Sequence, residues 1–307
     1  MKRKPLVIVR DPADVRDLVA TARKNGGSIG FVPTMGALHE GHMSLVRLGC
    51  ERTSYVVASI FVNPKQFGPR EDYGRYPRDE ARDAAILEDA GCDLLFAPPE
   101  RDLYSSDDRT RISVVVLDEF LCGSSRPGHF NGVALVVAKL FNIVQPDEAY
   151  FGQKDAQQAV IIQRMAADLD FPVRIVVGPI VREEDGLAMS SRNVFLSVEE
   201  RGRAVALYEA LMEARKALDG GERVPEAVKR IMISRLSRSE FVIDYAEVVD
   251  AATLRPVGAI DGLVLIAVAA RLGGTRLIDN IVLRVSRDRV EEARLEFPEW
   301  SRYGRKA

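Results

Sequence analysis

Short apolar runs alternate with amphipathic stretches over roughly the first 180 residues, and this alternation constrains the fold more than any other feature. The apolar runs have the length of buried strands and comprise residues 6–9, 29–32, 56–62, 94–96 and 173–177. Strands that alternate with helices form βαβ units with parallel strands. The sequence therefore predicts an α/β fold built on a Rossmann-like, doubly wound parallel sheet.

The pattern changes after residues 182–186. Residues 197–200 have the sequence of a capping box that opens a long helix through Leu218. A second helix is expected near residues 225–236, and strand-like runs follow at 241–249, 263–269 and 275–283. We therefore predict two domains, a nucleotide-binding α/β domain at residues 1–184 and a smaller α+β C-terminal domain at 185–307 that acts as a lid. For the charged tail, residues 284–307, we expect a peripheral helix or partial disorder.

Charge and cysteine usage narrow the class of protein. A formal net charge of −2 argues against a broad nucleic-acid footprint, which leaves small-molecule partners. The three cysteines are far apart and include no C-x-x-C, so neither a disulfide framework nor a zinc site is indicated. The apolar run after the basic residues 2–4 is too short for a signal peptide, and residues 263–270 are too few to span a bilayer. We expect a cytoplasmic protein with no membrane or nucleic-acid partner.

Two of the three histidines, His39 and His42, lie between an apolar strand-like run and a helix-like stretch. Free N–H groups and the positive end of the helix dipole at such a turn favour a bound phosphate. Gly36 and Gly41 allow the backbone to approach a ligand closely. Imidazoles there can stabilise charge that develops during phosphoryl or nucleotidyl transfer, although histidines in turns can also simply cap a helix.

Two common nucleotide motifs are absent. Gly36 and Gly41 have the spacing of a P-loop, but His42 and Met43 stand where Lys and Ser or Thr are required. The dinucleotide fingerprint G-x-G-x-x-G is missing as well, which leaves redox use of a nicotinamide cofactor unsupported.

Three further polar loops carry suitable chemistry. Residues 63–68 follow a predicted strand and should converge with the histidine turn on one crevice. Residues 151–158 are predicted to begin a helix in which Lys154 neutralises a phosphate and Gln158, four residues later, shares its face. Residues 189–193 offer two hydroxyls, a guanidinium and an amide at the domain boundary, where a mobile segment would close over a triphosphate.

Taken together, residues 33–42, 61–67, 126–130, 150–158 and 189–193 resemble the motifs of the pantothenate synthetase (pantoate–β-alanine ligase) family, which belongs to the HxGH nucleotidyltransferase superfamily. The likeness extends from about residue 6 to residue 283. It implies that ATP and pantoate form an enzyme-held pantoyl adenylate and pyrophosphate, and that β-alanine then attacks to give pantothenate and AMP. The resemblance also implies a homodimer.

The resemblance assigns roles to individual residues. His39 and His42 are implied to stabilise the transition state, with Lys154 on the phosphates, whereas Gln66 and Gln158 hold pantoate and Gln66 also meets β-alanine. The implied ATP-binding residues are Met35, Gly36, Ala37, Leu38, His39, Glu40, Gly41, His42, Gly152, Gln153, Lys154, Asp155, Val181, Met189, Ser190, Ser191 and Arg192.

The family chemistry also implies Mg²⁺, which neutralises the triphosphate and is held mainly by phosphate oxygens and water. No protein ligand stands out, and Asp83 is a weak candidate. His129 either orders the pocket wall or bonds only to backbone. Leu135 and Ala156 depart from the family pattern, and Leu135 could alter the pantoate side of the pocket.

Two other functions remain open from the sequence. A nucleotidyltransferase that makes a dinucleotide-type cofactor would use the same histidine turn, but it would require further basic residues for a phosphorylated acceptor. A non-enzymatic module would bind nucleotide without releasing pyrophosphate.

Overall fold

The computed structural model describes residues 5–69 and 71–295. Six strands form one sheet in the order β1-β4-β3-β2-β5-β6, and every neighbouring pair is parallel. These strands are β1 (Val7–Val9), β2 (Ile29–Thr34), β3 (Tyr55–Ile60), β4 (Leu94–Phe96), β5 (Glu148–Gly152) and β6 (Arg174–Gly178). The predicted parallel α/β sheet is therefore confirmed.

Helices cover both faces of this sheet because successive strand residues point to opposite sides. Phe31 packs with helices α1, α6 and α7 in one apolar cluster, whereas the next residue, Val32, packs with α2 and α3 in another. The helices of this part of the chain are α1 (Pro12–Lys24), α2 (Glu40–Arg52), α3 (Glu80–Ala90), α4 (Glu100–Leu103), α5 (Leu121–Ser125), α6 (His129–Val144) and α7 (Ala156–Asp168).

The sequence pattern does not predict strand β5, whose residues it presents only as an apolar stretch before a helix. Ala149, Tyr150 and Phe151 are buried because β5 pairs with β2 on one side and β6 on the other. The predicted position of Lys154, in one helix with Gln158, is also corrected. Lys154 lies instead in a 3₁₀ turn, Gln153–Asp155, between β5 and α7.

As far as residue 295, the C-terminal part contains three α-helices and an antiparallel sheet in the order β10-β9-β8-β7. The predicted capping box is confirmed, since Ser197 and Glu200 cap each other's backbone N–H groups. The long helix is interrupted at Val205, whose N–H bonds to the carbonyl of Arg203. The elements are α8 (Val198–Ala204), α9 (Ala206–Asp219), α10 (Pro225–Arg238), β7 (Val242–Asp250), β8 (Gly262–Leu272), β9 (Thr275–Val285) and β10 (Val290–Glu292).

One face of the antiparallel sheet packs on helices α9 and α10, and the other packs on α5, α6 and α7 of the parallel-sheet part. A hairpin closed by the bridge between Arg182 and Ala188 connects the two parts. The proposed domain boundary between residues 184 and 185 falls in this hairpin. Limited proteolysis should therefore cut within the hairpin, and cleavage confined to sites inside the two parts would contradict the boundary.

The first residues of the tail are strand, which corrects the predicted helix or disorder there. Arg284 and Val285 complete β9, and Val290 pairs with Val285 to add β10 to the sheet edge. Residues 296–307 of the predicted tail lie outside the described residues. Among the described helices, none is both long and apolar enough to cross a membrane.

Candidate active site

The strand order places the histidine turn and the Lys154 turn side by side. Successive connections run outward from β2 through β3 to β4, and the chain then returns to place β5 on the other side of β2. Ligands of open α/β sheets bind at such a reversal, outside the carboxyl ends of the strands. The histidine turn, residues 35–42, follows β2, and the Lys154 turn follows β5.

The backbone of the histidine turn is held by Asp83, which lies in the first turn of α3. Its Oδ2 accepts the N–H of Ala37 at 2.7 Å and its Oδ1 accepts that of Leu38 at 2.8 Å. Gly36 and Ala37 both have positive φ, at 83° and 52°, a conformation that this support stabilises. The Asp83 side chain is 1% exposed.

The position of Asp83 favours a structural role over the candidate role of Mg²⁺ ligand. Both carboxylate oxygens already accept backbone N–H groups, and the side chain is buried beneath the turn. Across residues 5–69 and 71–295, no group of three or more His, Cys, Asp or Glu side chains is arranged to hold a metal ion.

The two histidines cap helix α2 while facing each other. Nδ1 of His39 accepts the N–H of Gly41 at 3.1 Å, and Nδ1 of His42 accepts the N–H of His39 at 3.3 Å. The ring centroids are 4.1 Å apart. A Cβ on Gly41 would lie 2.9 Å from Cε1 of His39, so this position requires glycine. Because each neutral ring accepts at Nδ1, each carries its proton on Nε2 and can donate it.

The environment keeps both rings neutral. Burial, together with the positive charge of Lys154, lowers the pKa of His39 to about 4. Burial, His39 and Lys154 together lower the pKa of His42 well below its usual value. The Lys154 turn follows β5, which is the neighbour of β2 in the sheet, and β2 leads into the histidine turn. His39, His42 and Lys154 therefore lie on two loops at the carboxyl ends of adjacent strands.

Lys154 lies in a cleft between the parallel sheet and the antiparallel sheet. The cleft encloses about 130 Å³, and its walls include Lys154, Asp155, Gln158, Ser190 and Arg192. Strands β7, β8 and β9 supply the opposite wall. Five predicted site residues from two chain segments, residues 151–158 and 189–193, therefore line one cavity.

Gln66 approaches the histidine turn from the loop after β3. Its Nε2 lies 3.1 Å from Sδ of Met35, and its Oε1 accepts Nδ2 of Asn63 at 2.9 Å. Asn63 in turn accepts the Tyr104 hydroxyl at 2.8 Å and donates to the Gly132 carbonyl at 3.1 Å. The amide of Gln66 is therefore positioned by a buried network rather than by its own loop alone.

The third histidine, His129, also positions Gln66. Its Nδ1 donates to the Gln66 carbonyl at 2.8 Å, while its Nε2 accepts Nη1 of Arg126 at 3.0 Å. Arg126 forms a bidentate ion pair with Glu71. Burial and the charge of Arg126 lower the pKa of His129 to about 4. His129 thus bonds to the backbone of Gln66 and to the Arg126 side chain, and it also lines the cleft.

The hairpin between the two parts of the chain carries the remaining predicted ATP residues. Met189 donates its N–H to the Val181 carbonyl at 3.0 Å, and this hydrogen bond aligns the two arms of the hairpin. Ser190 caps the following 3₁₀ turn, and the Ser191 hydroxyl lies 3.2 Å from that of Tyr76. Arg192 lies against Asp72.

Arg192 forms a bidentate ion pair with Asp72, at 2.8 Å from Nε and 3.0 Å from Nη2. A role on the ATP phosphates would require this guanidinium to exchange one anionic partner for another. The pair lines the cleft, so the exchange needs only a side-chain movement.

Several predicted residues contribute backbone only or lie in the core. Leu38 is 1% exposed within an apolar cluster, and the exposed Glu40 pairs with Arg47. Leu135 and Ala156, the two departures from the family pattern, are buried in two different apolar clusters, and Ala156 also lines the cleft. Gly152 and Gln153 complete the turn that carries Lys154.

The sequence did not indicate three residues that the structure places at the site: Asp72, Asp279 and Asn280. Asn63 belongs to the predicted loop at residues 63–68, although the sequence assigned it no role of its own. Asp279 and Asn280 interrupt an apolar strand, and a polar pair in such a run is a usable signal. Nothing near Asp72 in the sequence distinguishes it from other surface acids.

All three histidines are expected to stay neutral in the folded protein between pH 8 and about pH 5. An unfolded imidazole has a pKa of about 6.5, so below that pH the unfolded chain binds protons that the folded protein does not. The free energy of unfolding should therefore fall as the pH drops from about 7 to 5.5, a range that leaves most carboxylates charged. Denaturant unfolding at several pH values measures this, and NMR of the imidazole protons provides the control. A histidine that titrates near pH 6.5 in the folded protein would contradict this prediction.

Comparison with known proteins identifies relatives along almost the entire chain. The sequence profile of the family described as pantoate-beta-alanine ligase matches residues 7–282. A pantothenate synthetase from Acetivibrio thermocellus is 51% identical over 279 residues, which cover 91% of this chain and 99% of the relative. One from Moorella thermoacetica is 53% identical over 275 residues, covering 89% and 97%.

Solved structures agree with these relatives. The crystal structure of pantothenate synthetase from Thermus thermophilus matches with a TM-score of 0.85 and 47% identity, over 90% of this chain and 98% of that one. Pantoate-beta-alanine ligase from Francisella tularensis, complexed with beta-gamma ATP and beta-alanine, matches with a TM-score of 0.76 and 32% identity, over 90% and 97%.

Proposed function

The chain belongs to the pantoate-beta-alanine ligase family, and from this premise we propose that it condenses pantoate with β-alanine, using ATP, to form pantothenate. The observation that carries the proposal is that the histidine turn, with its two facing rings, and the Lys154 turn follow adjacent strands at the reversal of strand order. Two neutral ring donors and one cation at this place suit a transferring nucleotidyl group.

In the first step, a carboxylate oxygen of pantoate attacks the α-phosphorus of ATP. An O–P bond forms, the bond between the α-phosphorus and the bridging oxygen breaks, and pyrophosphate leaves. The Nε2–H groups of His39 and His42 donate to phosphate oxygens as charge develops there, and Lys154 neutralises part of that charge. Ser190 and Arg192, which lie in the hairpin, bind the phosphates.

In the second step, the free amine of β-alanine attacks the acyl carbon of the adenylate. A C–N bond forms, the C–O bond to the phosphate breaks, AMP leaves and the nitrogen loses a proton. Gln66 and Gln158 hold the pantoyl group, since neutral amides pair with its hydroxyls without burying another charge. The cleft shields the adenylate from water.

Mg²⁺ is proposed as the companion of ATP, held chiefly by phosphate oxygens and water. The residues present fit that arrangement, because the buried carboxylate nearest the turn, Asp83, is already occupied by backbone N–H groups. The ion would neutralise the triphosphate and the leaving pyrophosphate. We expect chelation of Mg²⁺ with EDTA to abolish pyrophosphate release. Unchanged release would contradict this role.

We also propose a cytoplasmic homodimer. Val115 is 73% exposed and Leu169 is 52% exposed, and both line one apolar groove suited to a second copy. The three cysteines are widely spaced in the sequence and include no C-x-x-C, a usage compatible with a reducing compartment. A monomeric mass in light scattering would contradict the homodimer. Recovery of the protein outside the cytoplasm on cell fractionation would contradict the cytoplasmic location.

Isotope transfer tests the proposed reaction. With pantoate labelled by ¹⁸O in its carboxylate, Mg-ATP and β-alanine, each AMP formed should carry one labelled oxygen, because the attacking oxygen leaves with the phosphate. Unlabelled AMP, or ADP with inorganic phosphate, would contradict the adenylate. Turnover only with phosphorylated acceptors would favour the dinucleotide-forming alternative instead.

Replacing Gln158 with alanine should weaken pantoate recognition. Loss of one or two hydrogen bonds to the substrate should raise the KM for pantoate about 10- to 100-fold, with less than about a threefold change in the KM for ATP. Arg164→Ala is the control, since Arg164 lies on the same helix but is exposed and pairs with Asp168. An unchanged KM for pantoate, with a lower kcat, would remove the assignment.

A further inference from the structure

Strand β9 carries two adjacent buried polar side chains in an otherwise apolar run. Asp279 is 2% exposed and Asn280 is 3% exposed, between Ile278 and Ile281. Burying polar groups costs free energy unless they form hydrogen bonds. Their partners show what these two residues do.

Asn280 bonds to the backbone of the Lys154 turn. Its Nδ2 donates to the carbonyls of Gln153 and Lys154, each at 3.0 Å, and its Oδ1 accepts Nε2 of Gln153 at 3.4 Å. One side chain from the antiparallel sheet therefore satisfies both successive carbonyls of the turn that follows β5.

Asp279 bonds to the hairpin that carries Ser190 and Arg192. Its carboxylate accepts two hydrogen bonds from Arg182, at 2.6 and 3.0 Å, and Nη1 of Arg182 also donates to the Gly186 carbonyl at 3.0 Å. The Arg182 guanidinium lies over the Tyr208 ring, 4.4 Å from its centroid. The hairpin is thus fixed to β9 and to α9.

Neighbouring residues of a strand face opposite sides of the sheet. Asp279 and Asn280 therefore reach two different loops from one point on β9, and those loops hold the cations Lys154 and Arg192. We propose that the Asp279-Asn280 pair positions these two cation-bearing loops relative to each other, with Asn280 acting on adenylation through Lys154. The inference rests on the proposed function.

The chemistry of Asn280 makes this role specific. Two carbonyl oxygens need a donor that reaches both, and a carboxylate at the same place would put negative oxygen against them. Replacement would displace the turn, and a shift of about 1 Å in a positioned catalytic group can cost about 10²-fold in rate.

The test compares Asn280→Asp in the full-length wild-type chain and in a Lys154→Ala background, with pyrophosphate release from Mg-ATP and pantoate as the readout. In the wild-type background we expect a loss of about 30- to 100-fold at saturating substrates. In the Lys154→Ala background, Asn280→Asp should lower the rate of pyrophosphate release by less than about threefold, because the side chain that Asn280 positions is already absent. Equal losses in both backgrounds would overturn the inference.

Val282→Ala is the matched control, because Val282 lies two residues along the same face of β9 and is equally buried. It should lower the melting temperature but keep release within about threefold of wild type; a loss as large as that of Asn280→Asp would overturn the inference. Asn280→Ala, which removes the donor without adding charge, should repeat the background-dependent loss if the aspartate variant does not fold. Absence of release from the wild type would reject the proposed function itself, whereas an active wild type with an equally active Asn280→Ala rejects only this inference.

Discussion

Replacement of His42 with alanine is expected to slow formation of the pantoyl adenylate by about 10²- to 10³-fold, the effect of removing one positioned donor to developing charge. The Kd for ATP should change by less than about fivefold, because the other contacts to the nucleotide remain. Nε2–H of His42 is available for this role since its Nδ1 accepts the N–H of His39. Single-turnover pyrophosphate release and calorimetric ATP binding measure the two quantities.

The cap that His42 provides must be separated from its role in the reaction. Alanine also removes the capping contact of α2, which should cost about 1 kcal/mol of stability. His42→Gln is the matched control, because glutamine is a preferred residue at this position of a capping box and can restore that contact. It should recover stability without recovering the rate. A variant whose kcat survives while only the KM for ATP rises would show that the assigned role is wrong.

Replacement of Asp83 with asparagine is expected to lower the free energy of unfolding by about 2–5 kcal/mol, because one of two buried backbone N–H groups loses its acceptor. Adenylation should fall by about 10²-fold as the turn shifts. Denaturant unfolding and pyrophosphate release measure these effects. Glu80→Gln is the control, since Glu80 lies in the same helix turn but pairs with Arg10 at the surface, and it should change stability by less than about 1 kcal/mol.

The same variant distinguishes the two roles considered for Asp83. A magnesium ligand would alter the Mg²⁺ dependence of the reaction and leave the nucleotide-free protein as stable as wild type. Support of the turn destabilises the protein without any nucleotide present. Wild-type stability in Asp83→Asn would therefore refute the positioning role.

Local sequence patterns predicted most of the fold because each pattern reflects a local cause. Residues 29–32 and 94–96 are short apolar runs, and both are buried strands of the parallel sheet. The capping box at residues 197–200 is also local, since its two side chains bond within one turn. Strand β5 was missed because its burial comes from pairing with β2 and β6, which lie far away in the sequence.

The residues of the site also fall into two groups, those that local sequence patterns predict and those that only the tertiary fold brings into place. The histidine turn and the Lys154 segment are visible as compact motifs, and the strand order brings them together. What positions them is not local: Asp83 lies 46 residues from Ala37, and Asn280 lies 126 residues from Lys154. Such pairs depend on the tertiary fold, so no spacing in one sequence reveals them.

The two-step reaction is tested most directly by withholding β-alanine and measuring pyrophosphate release from Mg-ATP. Release that requires pantoate, approaches one equivalent per active site and is followed by AMP and pantothenate when β-alanine is added is the predicted result. Pyrophosphate that appears only after β-alanine is present, or none at all from folded protein that binds ATP, would contradict an enzyme-held pantoyl adenylate.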